Sequence, residues 1–177
     1  GKGGGAPVSE TFKLGTDNFV SLAENKLEFA RRICSDRELA QCLLSQDRSF
    51  KDYELPENYQ DQLLWHHVFP FRYVLDTQES QRAYITMSFE FEKSEKPNVW
   101  KTGAVVFYLF CHKDLVRTDY GVLRYDFMLS RLNALMQDSR FKTWYNRLEF
   151  QRSGDITVDE IGDYVGVEVI YASRGVL

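Results

Sequence analysis

From Arg82 to Glu92 the side chains alternate: Ala83, Ile85, Met87, Phe89 and Phe91 against Arg82, Tyr84, Thr86, Ser88, Glu90 and Glu92. Period two sends neighbouring side chains to opposite faces of an extended chain, so this stretch reads as a strand with one buried face. A polar turn over Lys93–Asn98 follows, with Pro97 inside it. Then Val99–His112 is apolar on both sides, with Val105, Phe107, Leu109 and Cys111 on one and Ala104, Val106, Tyr108 and Phe110 on the other. A strand without a polar face belongs in the middle of a sheet that is covered twice. The pair predicts a hairpin of about thirty residues, long for a small domain, with a tip that protrudes.

Helical spacing flanks this hairpin. Asp17 or Asn18 can cap a first helix whose stripe is Phe19, Leu22, Ala23, Lys26, Leu27, Ala30, Ile33 and Cys34. Ser35-Asp36-Arg37-Glu38 has the form of a capping box, with the Ser35 hydroxyl expected to take the Glu38 amide. The chain should therefore break at Ser35 and start a short helix carrying Leu39, Cys42 and Leu43. Residues 46–62 are polar, contain Pro56 and read as a loop. The apolar segment Leu63–Pro70 is short and ends at a proline.

A third helix is expected over Tyr120–Asp138, with Leu123, Phe127, Leu129, Leu132, Leu135 and Met136 inward. Trp144–Gln151 alternates again, a polar linker follows Ser153-Gly154, and Tyr164–Tyr171 closes with Val165, Val167, Val169 and Tyr171 on one face. The order α-α-loop-β-β-α-β-β predicts an α+β fold, helices packed on a mostly antiparallel sheet. The 177 residues suit one domain over 17–177, preceded by a flexible, glycine-rich arm over 1–16. The GKGGG of that arm lacks the spacing of a phosphate-binding loop.

Chemistry-bearing patterns are scarce. Cys34, Cys42 and Cys111 are odd in number and widely spaced, which argues against a disulfide scaffold and for a reducing compartment. His66 and His67 are neighbours, so their side chains should point apart rather than share a metal. Cys111 has no base beside it in sequence and reads as a buried thiol. No nucleophile elbow or zinc-protease motif occurs, and Glu90-Phe91-Glu92-Lys93 lacks the acid and acid-x-Lys spacing of a metal-dependent nuclease. No enzyme activity, metal or cofactor is expected.

The net charge of −4 gives no overall attraction to nucleic acid, and the basic residues alternate with acids. The longest apolar run, Ala104–Cys111, is too short to cross a bilayer, and the opening residues lack a signal-peptide core. Aromatics at 15% exceed what such a core needs, which reads either as interface or as two-sided strands.

Several stretches together resemble a family of small neck proteins encoded among the head–tail joining genes of tailed phages. They are Ser35–Leu39, Phe69-Pro70-Phe71, Ile85–Phe89 and the run from His112 to Asp126 (HKDLVRTDYGVLRYD). The likeness covers about residues 33–172 and leaves the arm unmatched. The element order is also similar to that of the tail-terminator and tail-completion fold, and the resemblance implies a hexameric ring. Such a ring caps the tail tube, joins it to the connector or stopper protein, and lets DNA pass through its lumen.

The same resemblance implies a virion protein made in the host cytoplasm, without catalytic residues. A connector stopper or adaptor ring, or a small phage-encoded host-binding or inhibitor protein, are the alternatives. A ring needs two different patches per subunit. One is placed on the hairpin at Phe89, Phe91, Val99 and Trp100, and the other on the helix around Arg124 and Arg131. Trp100 has the alternative of packing across its own hairpin.

Overall fold

A computed structural model describes residues 18–73, 81–93, 100–138, 148–158 and 161–173. At its centre lies the strand with no polar face, β3 (Trp100–His112), in a five-stranded sheet. The others are β1 (Val68–Phe69), β2 (Ala83–Lys93), β4 (Leu148–Thr157) and β5 (Tyr164–Ser173), in the order β1-β2-β3-β5-β4. β1 runs parallel to β2 and every other pairing is antiparallel. Among the described residues four helices, α1 (Asn18–Cys34), α2 (Arg37–Leu44), α3 (Tyr59–Leu63) and α4 (Arg124–Gln137), complete an α+β fold.

The alternation of β2 and the odd-numbered face of β3 form the main core. Ile85, Met87, Val105, Phe107, Leu109 and Cys111 are buried there with Phe29 and Ile33 of α1, Leu39 of α2, and Met128 and Leu132 of α4. Phe29 stacks on Phe107 at 5.7 Å and meets Phe89 edge-on at 5.9 Å. β2 and β3 pair from Ala83↔Cys111 to Lys93↔Trp100, with an irregularity between Glu92 and Lys93. The expected tip, with Val99, lies outside the described residues, as does the arm over 1–16.

The second face of β3 is covered in part by the chain itself, with Ala104 and Tyr108 half-buried. Phe110 and Val106 are 1% and 8% exposed. Phe69, Tyr84, Phe110 and Tyr164 form a second cluster, with Tyr73, Tyr108 and Val158 at its margin. The segment after β1 folds back over the sheet, and Tyr73 stacks on Phe69 at 4.3 Å. Many of the described aromatics thus serve two cores rather than one.

Four local expectations change. The cap of α2 is Asp36, whose carboxylate accepts from the Leu39 amide at 2.8 Å, because the Ser35 hydroxyl instead donates to the Arg32 carbonyl at the end of α1. The polar stretch 46–62 holds a 3₁₀ turn over Phe50–Asp52 and the start of α3. α4 begins at Arg124 and not Tyr120, since Gly121 takes φ +75°, outside the helical region. β4 runs on through Ser153-Gly154 to Thr157, where a linker was expected.

Candidate interaction surfaces

Arg124, expected on a docking face, is a buried bracket, fully enclosed at 0% exposure. Its Nε donates to the Leu115 carbonyl at 2.7 Å, Nη1 to those of Cys42 at 2.7 Å and Ser45 at 3.0 Å, and Nη2 to that of Asp47 at 2.7 Å. The guanidinium also lies over the Phe50 ring at 5.0 Å. The end of a helix leaves carbonyls without intrahelical partners and carries partial negative charge, so a cation there is stabilising. Arg124 uses that property to bind the end of α2 to the start of α4, and no part of it is exposed.

Arg131 is half-buried and engaged within the subunit. It pairs with Asp36 at 2.6 Å and Glu38 at 3.1 Å, joining α4 to the first turn of α2. The Asp36 hydrogen bond raises the Arg131 pKa further. Phe89 and Phe91 are half-buried on the helix side of the sheet, and the Lys26 ammonium lies 5.5 Å from the Phe89 ring centroid. Trp100 opens β3 opposite Lys93.

Large apolar side chains do reach the surface elsewhere. Trp65 is 51%, Phe71 48% and Phe150 50% exposed. Trp65 and Phe71 lie beside β1, their rings 6.5 Å apart, while Phe150 is on β4, at the opposite edge of the sheet. Trp65 sits at φ +70°, a conformation that L side chains rarely take, and its amide donates to the Val68 carbonyl at 3.0 Å. That turn holds the indole outward at the mouth of the second cluster. The exposure of Phe150 is not legible in the sequence, because alternation marks which side of a strand is inward and not how far an edge strand is covered.

β4 is an edge strand with a bulge. Phe150 pairs with Tyr171 and Arg152 with Ile170, so Gln151 is the extra residue. Phe150 therefore faces the helices and Arg152 the other side. Arg152 is 70% exposed on its side chain and lies 3.6 Å from Glu168.

The three cysteines are buried. Burial pushes the thiols of Cys34, Cys42 and Cys111 up to about 12, which suits packing and not nucleophilic attack. His66 is exposed while His67 is buried, so the pair does point apart. The Nδ1 of His67 donates to the Ala83 carbonyl at 2.9 Å, and burial lowers its pKa to about 4. A cleft of about 480 Å³ beside it is lined by Gln46, Asp61, His66 and Arg82. Burial, then the nearby Asp155, raises the Asp126 carboxyl. Among the described residues no three metal-ligating side chains cluster, and no helix is long and apolar enough to cross a membrane.

Fold and surfaces together define a small α+β domain whose exposed aromatic side chains stand at both edges of one mixed sheet. The chain belongs to the YomW family, whose model matches residues 36–173, from the cap of α2 to the last residue of β5. That family is of phage type, which makes this a phage-type protein. No curated protein and no solved structure matches the chain.

Proposed function

We propose that this chain is a structural virion protein of a tailed phage, a ring-forming tail terminator that caps the tail tube and joins it to the connector. The observation that carries the reading is the placement of exposed aromatics at opposite edges of one sheet, Trp65 and Phe71 beside β1 and Phe150 on β4. Copies that meet through two unlike patches associate head to tail, and such contacts make a ring when the rotation closes. The phage-type family and the likeness of Ser35–Leu39 and His112–Asp126 to neck proteins point the same way.

In this reading the protein acts by shape and contact, without catalysis or cofactor. Its partners are sister copies (a hexamer by resemblance), the tail tube protein, and a connector or stopper protein, with DNA passing through the lumen. Electron microscopy of the purified protein mixed with tail tubes tests the assignment. Rings on tube ends and tubes of limited length are expected. Binding to the connector with bare tube ends would make it a stopper or adaptor instead, and a persistent monomer with all virion partners present would favour a host-binding protein.

A further inference from the structure

The two edges of the sheet are complementary to each other. On the β1 side, β1 covers only Ile85 and Thr86 of β2, and among the described residues no strand runs along β2 beyond them. That part of β2 presents half-buried Phe89 and Phe91 on the helix side and exposed Glu90 on the other. At the far edge, the outer side of β4 has no described strand beside it either. There Phe150 is half-exposed on the helix side and Arg152 is exposed on the other.

We propose that β4 of one copy pairs with the open part of β2 in the next, extending the sheet from subunit to subunit. This rests on the ring reading and names its contact. Successive antiparallel pairings give β2 and β4 opposite senses. A rotation about an axis along the strands preserves those senses and faces, so the new pair is antiparallel with the helices of both copies on one side. The bulge at Gln151 makes Phe150 and Arg152 behave as consecutive residues. One register then places Phe150 opposite Phe91, Arg152 opposite Glu90 and Ser153 opposite Phe89 of the neighbour, and the new pairing ends at Asp155, because Thr86 and Ile85 beyond it are held by β1. Aromatic meets aromatic on one face, and opposite charges meet on the other. The Arg152 guanidinium, loosely held at 3.6 Å by Glu168, can bridge both carboxylates.

Charge exchange tests the pairing. Arg152→Glu and Glu90→Arg should each raise the concentration of half-assembly by about tenfold or more, and the double variant should return it to within about threefold of the parent. Circular dichroism checks that each variant is folded, and hydrogen exchange should show backbone amides of 149–155 gaining protection on assembly. Single variants that form rings like the parent, a double variant without recovery, or unchanged exchange would overturn the pairing. Charge-reversed chains that still cap tubes would overturn it while leaving the terminator role intact. A parent chain that neither self-associates nor caps tubes would overturn both.

Discussion

Replacing Arg124 by methionine removes four hydrogen bonds from a charged donor while nearly preserving volume. Each such bond is worth about 1.5–3 kcal/mol, against which stands a cost of several kcal/mol for burying the ion. Exchange of a buried ion pair for apolar residues can be harmless when both partners go together. Here the acceptors are backbone carbonyls of Cys42, Ser45, Asp47 and Leu115, which no side-chain substitution removes. Arg124→Met therefore leaves polar atoms stranded, and the expected loss is about 3–5 kcal/mol, a large share of the roughly 5–15 kcal/mol by which a domain is stable.

In urea, with a slope near 2 kcal/mol per M, the midpoint should fall by about 2 M. Arg124→Lys keeps the charge but gathers its donors on one nitrogen, which cannot reach Leu115 and Asp47 together, so its midpoint should fall between the two. Equilibrium unfolding followed by circular dichroism measures both. A midpoint for Arg124→Met within about 0.5 M of the parent would refute the bracket and return Arg124 to the surface.

Other consequences follow from single sites. The His67 pKa is lowered from 6.5 to about 4 in the fold, so the unfolded chain binds more protons between those values. Stability is then fully present above pH 6.5 and falls by up to about 3 kcal/mol as pH drops to 4; His67→Gln should flatten that part of the profile in thermal melts. A Cβ on Gly166 would lie 2.6 Å from the Phe110 Cα and closer still to the Leu109 carbonyl oxygen, so Gly166→Ala should separate β5 from β3. Its melting temperature should fall by about 6 °C or more, and an unchanged melt would contradict that packing. Asp36→Ala loses both cap and ion pair and should cost about 1–2 kcal/mol, whereas Asp36→Asn keeps the cap and should cost less, as read from urea midpoints.

The sheet was readable where burial imposes a period. The alternation of β2, the two-sided β3 and the stripe of α1 each fix an element because neighbours cover one face, or both, along much of the described length. β4 past Ser153 is not legible because an edge strand covered on neither side has nothing to impose alternation; residues 151–155 are all exposed. β1, two residues long, owes its strand form to β2 and carries no pattern of its own. The capping box names Ser35, and the geometry of the preceding helix end, which draws that hydroxyl to the Arg32 carbonyl, gives the cap to Asp36 instead.

For the candidate surfaces the sequence could supply residue types but not exposure. Arg124 looks like any helix-surface arginine, since three of the four carbonyls that hold it come from residues about 80 positions away. The exposure of Trp65 depends on a left-handed turn, and that of Phe150 on its strand being outermost. The cover on the second face of β3 depends on residues 70–73 folding back, with Tyr73 on Phe69 and Arg72 over the Tyr108 ring, a contact between segments that no local pattern announces.

Imaging the end of a tail tube at side-chain resolution with the protein bound is the most direct trial of two unlike edges joining sister copies. A closed ring is expected there, with β4 of each subunit beside β2 of the next and Arg152 facing Glu90. Lone subunits on the tube, or a ring whose subunits touch through their helices with both sheet edges in solvent, would contradict the account.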